Sequence, residues 1–211
     1  MTHGNNYTMK RHPSCVVLFM CAVGLLTPSA VVAQEHETPT TSGFAVGGHV
    51  TVATAGAGTT TVNGQPITPA RASGLGGGLV VSYGLTDRLT VYLNGDGRES
   101  ANDLHLSHAD LGLQYFFSSG RRLRPHVDLA FAGLRAEFAS ESETLDARGS
   151  AWSFGGGALY FLHPRLALDA TILQTAGGLD QFRNGDHVRG AGEVDVNSTR
   201  FNIGVRWYPG K

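Results

Sequence analysis

Alternation of apolar residues with small or polar ones dominates this chain from residue 43 to residue 208. A period of two is the signature of a half-buried β-strand, and no long segment repeats apolar residues at helical spacing. The pattern predicts eight strands, over residues 44–54, 73–85, 89–97, 104–117, 125–138, 151–162, 166–175 and 199–208. The sequence therefore predicts a single all-β domain of antiparallel strands.

The two faces of the predicted strands differ in composition. One face carries Leu, Val and aromatic residues, whereas the other carries mostly Gly, Ala, Ser and isolated charges. Soluble β-proteins guard their surfaces and edges with lysine, but the only lysines here are Lys10 and Lys211. Small residues suit a crowded interior and an apolar face suits lipid. The sequence thus predicts an eight-stranded antiparallel up-and-down transmembrane β-barrel over residues 43–211. A soluble periplasmic lipocalin-like binder, with its apolar face inward, is an alternative.

The predicted connections alternate in length, which supports the membrane barrel. Residues 86–88, 118–124 and 163–165 form short connections, and longer ones separate the other strands. Outer-membrane barrels alternate short periplasmic turns with longer outer loops, so both chain ends are expected in the periplasm. Outward aromatic residues near the periplasmic strand ends then predict a girdle at the membrane interface. The predicted girdle residues are Phe44, Tyr83, Tyr115, Phe117, Tyr160 and Trp207.

The first 33 residues have the pattern of a secretory signal peptide. Lys10 and Arg11 precede an apolar run over residues 16–26, and small residues end at Ala33. The run is shorter than the ~20 residues that a membrane-spanning helix needs. Both cysteines fall inside residues 1–33, so a mature chain without thiols is expected. Residues 34–42 are polar and predict a flexible periplasmic lead-in to a barrel located in the bacterial outer membrane.

Two predicted hairpins carry a resemblance to a known family. Residues 83–91, Tyr-Gly-Leu-Thr-Asp-Arg-Leu-Thr-Val, and residues 160–168, Tyr-Phe-Leu-His-Pro-Arg-Leu-Ala-Leu, look like the same periplasmic turn used twice. With the signal peptide and the closing strand, the chain resembles the outer-membrane protein A/X-type barrel superfamily over residues 43–208. The resemblance implies insertion by the barrel-assembly machinery. Such barrels usually end on an aromatic residue, whereas this chain adds three residues, 209–211, after Tyr208.

Polar residues on the inward face predict a network inside the barrel. Buried charges are unfavourable unless they are paired, and eight strands leave an interior only wide enough for side chains. We therefore expect a structural network rather than an ion path, and no wide pore. The predicted lumenal residues are Asn94, Asp110, Gln114, Asp128, Asp169, Asn202 and Arg206.

One set of residues near the outer rim could carry chemistry. His105 and Ser107 share the outward face of the fourth predicted strand, and Glu137 falls opposite His105 if the next hairpin centres on Arg121. A hydroxyl, an imidazole and a carboxylate can together activate a nucleophile for acyl transfer. The His-x-Ser spacing is similar to that of outer-membrane lipid A deacylases. A deacylase-like enzyme that acts on lipopolysaccharide is therefore an alternative to a non-enzymatic barrel.

No cofactor or metal site is predicted. The glycine runs at residues 76–78 and 155–157 lack phosphate-loop spacing, and His105 and His108 fall on opposite faces of one strand. The net charge of −1 leaves no basic surplus for nucleic acid. We expect a monomer with a structural or surface-interaction role. Its expected partners are outer-membrane lipids, lipopolysaccharide and an unidentified loop ligand, with residues 177–197 as the main contact surface.

Overall fold

The computed structural model of the protein describes residues 38–57, 60–62, 65–67, 72–100, 104–139, 144–184, 187–189 and 194–209. None of these residues forms a helix long and apolar enough to cross a membrane. In chain order the strands are β1 (Gly43–Ala57), β2 (Thr60–Val62), β3 (Gln65–Ile67), β4 (Ala72–Gly84), β5 (Leu89–Ser100), β6 (Leu104–Phe116), β7 (Leu123–Ala139), β8 (Thr144–His163), β9 (Leu166–Asn184), β10 (His187–Arg189) and β11 (Val194–Trp207). The predicted signal peptide, residues 1–33, lies outside the described residues.

The eight long strands close into a barrel. Each of them pairs antiparallel with the next long strand along the chain, and β11 also pairs with β1, from Val46 opposite Trp207 to Ala57 opposite Val196. Closure pairs every barrel strand on both sides and so removes the exposed edges of an open sheet. The short strands β2 and β3 form a separate hairpin, and β10 folds back on the end of β9. The predicted eight-stranded up-and-down barrel is confirmed.

The apolar face of the sheet lies outside the barrel. On β4, for example, the side chains of Leu75 and Leu79 are 61% and 66% exposed. Val80 and Ser82, which have the opposite strand parity, point into the barrel and are buried. The same alternation continues around the barrel, where exposed Leu, Val, Ile and aromatic side chains form a broad outer band. An outward apolar band suits a barrel surrounded by lipid, and a soluble lipocalin-like barrel would have the opposite arrangement.

The short turns and both described chain ends lie at one end of the barrel, the end that the loop lengths predict to be periplasmic and that is called the periplasmic end below. In the first short turn the backbone amide of Leu85 donates to the carbonyl of Leu89 at 2.8 Å. The second turn contains Gly120 with a φ of 68°, a left-handed conformation that glycine adopts without strain. The amide of Tyr208 donates to the carbonyl of Arg165 in the third turn at 2.9 Å. The chain therefore leaves the barrel on the side where the sequence predicts it to leave.

The barrel is taller on one side. Strands β7, β8 and β9 contain 17, 20 and 19 residues, whereas β4, β5 and β6 contain 13, 12 and 13. Much of the predicted connections 139–150 and 176–198 is thus strand rather than loop. Backbone pairing continues beyond the outward apolar band, where the sequence carries no apolar alternation that would mark the strands. The projecting parts of the tall strands, residues 133–139, 144–150 and 177–184, form the crest.

Candidate functional site

All seven predicted lumenal residues face the inside of the barrel. Six of them are at most 9% exposed, and the side chain of Asp169 is 14% exposed. They fall into two groups at different heights, each organised around one arginine. Because buried charges are tolerated only when they are paired and hydrogen-bonded, the partners of these two arginines decide what the lumen can do.

The outer group, the Arg200 cluster, lies inside the lumen near the middle of the barrel. The Nη1 of Arg200 donates to Asp96 Oδ2 at 2.6 Å and to Asp110 Oδ2 at 2.7 Å, and its Nη2 donates to Asp110 Oδ1 at 2.9 Å. Asn94 Nδ2 donates to Asp110 Oδ2 at 3.1 Å. His108 Nδ1 lies 3.5 Å from Asp96 Oδ1. The fork of one guanidinium thus bridges two buried carboxylates on different strands.

The inner group, the Arg206 cluster, lies nearer the periplasmic end. Arg206 donates from Nε to Asp169 Oδ2 at 2.8 Å and from Nη1 to Gln114 Oε1 at 2.8 Å. The His126 ring lies between two carboxylates, with Nδ1 2.9 Å from Asp128 Oδ2 and Nε2 3.6 Å from Asp169 Oδ1. Each charged group of the Arg206 cluster therefore has an opposite charge or a hydrogen-bond partner within the lumen.

A small cavity lies between the two clusters. Its volume is about 30 Å³, and His49, Tyr92, Asn94 and Asn202 are among the residues that line it. That volume corresponds to one or two water molecules and is far below the ~300 Å³ of a small-molecule site. Beside it, Thr51 Oγ1 donates to Asn202 Oδ1 at 2.8 Å. In the described part of the chain, the lumen has no room here for an organic ligand.

Apolar clusters lie on either side of the polar lumen. At the periplasmic end, the guanidinium carbon of Arg124 lies 5.1 Å from the centroid of the Phe161 ring. Both side chains are almost completely buried. The periplasmic cluster consists of Ala45, Phe116, Leu159, Phe161, Ala167 and Tyr208. The outer cluster consists of Leu106, Ala132, Leu134, Ala136, Ala147, Ala151, Leu179 and Val196. Among the described residues, packed side chains fill the lumen above and below its charges.

The residues that precede β1 are attached to the periplasmic end. Arg124 Nη1 donates to Thr41 Oγ1 at 3.2 Å, and its Nη2 donates to the carbonyl of Pro39. Thr41 also donates to the carbonyl of Asp87 at 2.9 Å. Of the predicted flexible lead-in, residues 34–37 lie outside the described residues, and residues 38–42 follow the rim of the barrel in contact with Arg124 and the first turn.

Four central members of the network were not among the predicted lumenal residues. Asp96 and Arg200 complete the Arg200 cluster with His108, and His126 bridges two carboxylates in the Arg206 cluster. Each of them has the same strand parity as a residue that was predicted, since Asp96 follows Asn94 by two positions and Arg200 precedes Asn202 by two. Strict application of the period of two would have found them.

The predicted aromatic girdle residues all face outward beside the short turns. Their exposed fractions range from 42% for Tyr115 to 58% for Phe117, and these two rings meet edge to face with centroids 5.7 Å apart. Phe44 and Tyr83 are direct partners on β1 and β4. The six side chains thus encircle part of the periplasmic end at the level expected for a membrane interface.

The three residues of the predicted acyl-transfer set lie close together on the outer rim without forming a triad. His105 and Ser107 are exposed on β6, and Glu137 on β7 is the direct register partner of His105. The carboxylate of Glu137, however, pairs with Arg135 Nη2 at 2.5 Å. Within the described residues, no side-chain hydrogen bond joins His105 to Ser107 or to Glu137, and no group of three or more His, Cys, Asp or Glu side chains could hold a metal ion.

Comparisons with known proteins agree with this geometry. A family model described as "Outer membrane protein beta-barrel domain" matches residues 19–208. The crystal structure of Neisserial surface protein A is similar with a TM-score of 0.60 and 18% identity, covering 79% of this chain and 97% of that one. The solid-state NMR structure of outer membrane protein AlkL in DMPC bilayers has a TM-score of 0.50 and 13% identity, covering 97% and 96%. The comparison with curated proteins gives no match. At sequence identities of 18% and 13%, the similarity to these two structures shows a shared fold and nothing about activity.

Proposed function

This chain belongs to the outer membrane protein β-barrel domain family and is a bacterial outer-membrane protein, and we propose that it has a structural and surface-interaction role without forming a wide pore. The barrel would strengthen the outer membrane through its lipid-facing band and offer its crest to partners outside the cell. The proposal follows from how the lumen is filled and from which part of the molecule projects beyond the lipid.

The observation that carries the proposal is the buried ion pairing of Arg200 with Asp96 and Asp110 in the centre of the lumen. Its side chain and those of Asp96 and Asp110 have no exposed surface. Moving a hydrated solute past this point would require breaking a buried ion pair, which is strongly unfavourable. Apolar clusters on both sides of these charges add two further barriers.

The crest supports a role at the cell surface. Strands β8 and β9 remain paired from the barrel up to Leu145 opposite Asn184, well beyond the outward rings of Trp152 and Phe154. A paired hairpin presents side chains on a rigid frame, which lowers the entropy lost when a partner binds. The segment 177–197, which the sequence predicts as the main contact surface, includes the outer part of β9, β10 and the start of β11.

Solute flux through the purified protein tests the absence of a pore. The full-length mature barrel would be reconstituted in liposomes, and swelling in isotonic solutions of small sugars would be recorded. We expect flux no greater than that of protein-free liposomes. A triple variant, Asp96→Ala with Asp110→Ala and Arg200→Ala, removes the central ion pairs, and its flux measures how far the two apolar clusters close the lumen without them. Rapid sugar flux through the unmodified protein would contradict the proposal.

A deletion strain tests the structural and surface roles. We expect loss of the protein to increase sensitivity of the cells to detergent, and complementation by the unmodified chain to restore resistance. A variant with shortened β7–β8 and β8–β9 hairpins would retain the barrel and lack the crest. Restored detergent resistance together with lost binding of the external partner is the expected result for that variant. Normal detergent resistance in the deletion strain would contradict the structural role.

A further inference from the structure

Four exposed arginines in the three short turns form the arginine ring: Arg88, Arg121, Arg122 and Arg165. The first turn contributes Arg88, the second contributes the two neighbouring arginines, and the third contributes Arg165. Because the three turns lie at the same end of a closed barrel, these side chains are distributed around much of the periplasmic rim.

The backbone of the arginine ring is anchored, whereas its charged groups are free. The carbonyl of Arg88 accepts a hydrogen bond from the amide of Phe116 at 2.8 Å, and that of Arg122 accepts one from the amide of Phe161 at 2.8 Å. The carbonyls of the other two ring arginines also accept hydrogen bonds, at 2.9 and 3.1 Å. Within the described part of the chain, none of the four guanidiniums forms a hydrogen bond or an ion pair. The ring therefore presents four cationic groups on a fixed frame.

The positive charge of the arginine ring is not balanced by carboxylates beside it. Asp87 is the only acidic residue in the described turns and chain ends, and its carboxylate accepts a hydrogen bond from Thr40. At the other end of the barrel the described outer face has two arginines and four carboxylates: Arg135, Arg148, Glu137, Asp146, Asp180 and Asp195. Among the described residues, the excess of exposed positive charge thus lies at the periplasmic rim, where it complements an anionic surface.

Exposed leucines indicate that the arginine ring lies at a membrane interface rather than in bulk water. Leu85, Leu123 and Leu162 are 55%, 53% and 50% exposed, and each lies within three positions of a ring arginine. The exposed rings of Tyr83 and Phe117 lie beside the same turns. The apolar band of the barrel therefore extends to the turns themselves. Leucine and aromatic side chains next to arginines are typical of a surface at the boundary between acyl chains and headgroups.

The turns are too short to carry the arginines far beyond that boundary. Only residues 164–165 separate β8 from β9, and Arg165 follows the exposed Leu162 by three positions. Three residues of strand correspond to about 10 Å, or about 8 Å along the membrane normal for a tilt near 40°. The headgroup layer on each side of a bilayer is about 5–8 Å thick. An arginine side chain can also extend back toward the interface, so the guanidiniums are at the height of lipid phosphates.

We propose that the arginine ring binds the phosphate groups of anionic phospholipids in the periplasmic leaflet of the outer membrane. Guanidiniums recognise phosphate oxygens through paired hydrogen bonds, and an anionic headgroup supplies the negative charge that the described rim lacks. Four arginines spread over three turns suit several headgroups around the barrel better than one soluble ligand. The inference rests on the structural role proposed above, which it deepens by naming a lipid class and a leaflet.

The lipid selectivity of matched variants tests the proposal. The mature barrel would be reconstituted in phosphatidylcholine vesicles with trace spin-labelled phosphatidylglycerol or spin-labelled phosphatidylcholine, and electron spin resonance would measure the fraction of label immobilised by the protein. We expect phosphatidylglycerol to associate about fivefold more strongly than phosphatidylcholine. Arg121→Gln with Arg122→Gln should reduce this preference, and glutamine at all four ring positions should remove it. The control, Arg135→Gln with Arg148→Gln, removes two arginines from the other end and should leave the preference unchanged.

Further measurements separate the lipid from other anionic partners. Lysine at all four ring positions keeps the charge without the guanidinium fork and should retain a weaker preference than the unmodified chain. Equal selectivity of the unmodified chain and of the folded Arg121→Gln, Arg122→Gln variant would overturn the proposal, with folding verified by heat-modifiable gel migration. Loss of the preference in millimolar inorganic phosphate at constant ionic strength would assign the ring to a free anion and overturn the lipid.

A binding assay with purified peptidoglycan addresses the remaining anionic surface of the periplasm. Sedimentation of the barrel with peptidoglycan through the ring arginines, without selectivity for phosphatidylglycerol, would assign the ring to the cell wall and overturn the lipid. Absence of sedimentation together with the expected selectivity supports the proposal. Sugar flux and detergent sensitivity are measured independently, so failure of lipid selectivity is distinguishable from failure of the proposed function.

Discussion

Arg200 and Asp110 meet across the barrel lumen through two parallel hydrogen bonds, of 2.7 Å from Nη1 to Oδ2 and 2.9 Å from Nη2 to Oδ1. The two residues are 90 positions apart in the chain. Both side chains are completely buried, so the pair connects strands β6 and β11 at a point where water cannot compete. Bidentate pairing fixes the orientation of both groups as well as joining them.

Arg200→Met should destabilise the barrel strongly. The substitution removes the cation and leaves Asp96 and Asp110 buried without their shared partner, for a loss of about 3–5 kcal/mol. Unfolding in guanidinium chloride, followed by the heat-modifiable shift on gels, measures the change. Arg88→Met removes an exposed arginine in the first turn and should change stability by less than about 0.5 kcal/mol. Equal stability of the two variants would show that the Arg200 cluster is not a structural network.

Leu79→Arg tests which face of the sheet meets lipid. Leu79 is 66% exposed in the middle of β4, and a charge there would be placed within the hydrocarbon, at a cost of about 2–4 kcal/mol. Leu85→Arg is the matched control, because Leu85 is 55% exposed in the periplasmic turn, where the expected cost is about 0–1 kcal/mol. Refolding yields and unfolding midpoints in lipid vesicles report both. Equal stability of the Leu79 and Leu85 variants would mean that Leu79 does not face the hydrocarbon of the membrane.

Arg124→Gln should release the residues that precede β1. The substitution shortens the side chain that holds Pro39 and Thr41 against the periplasmic end. Amide hydrogen exchange at residues 38–42 should become faster, while exchange in the strands stays slow. Arg122→Gln changes an exposed neighbour in the same turn and serves as the control. Unchanged exchange in the Arg124 variant would mean that other contacts hold this segment.

Thr51→Val tests the hydrogen bond beside the lumenal cavity. The valine keeps the shape of the side chain but leaves the Asn202 amide oxygen without the Thr51 hydroxyl, a loss of about 1–3 kcal/mol. Thr54→Val makes the same change at an outward position three residues along β1, where an apolar side chain suits lipid. A lower unfolding midpoint for the Thr51 variant alone is expected. If both variants unfold alike, the bond contributes nothing measurable.

The period of two was sufficient to predict the fold. Because one face of each strand meets lipid and the other meets a narrow interior, composition separates the two faces along most of the barrel. The short turn between β6 and β7 then fixed the register, so that Glu137 was correctly predicted opposite His105. The strand ends were predicted less well, since residues such as Gly177 and Gly178 above the membrane have no lipid contact to impose a pattern.

The pairing inside the lumen could not be predicted in the same way. Strand parity shows that Arg200 and Asp110 both point inward, but which residues meet depends on the stagger of the strands around the barrel. The stagger is set by the closing contact between β1 and β11, the most distant pairing in the sequence. The ion pair between Arg135 and Glu137 could not be predicted from the sequence for the same reason. This ion pair occupies the carboxylate that a triad with His105 would need.

The unequal height of the strands gives the molecule a front and a back within the plane of the membrane. A neighbour beside β4–β6 meets a low wall that ends near the lipid surface, whereas one beside β7–β9 also meets protein above it. Rotation about the barrel axis therefore changes what the surrounding membrane encounters. In a crowded outer leaflet, the contacts of such a molecule with its neighbours depend on its rotational orientation about the membrane normal as well as on its distance from them.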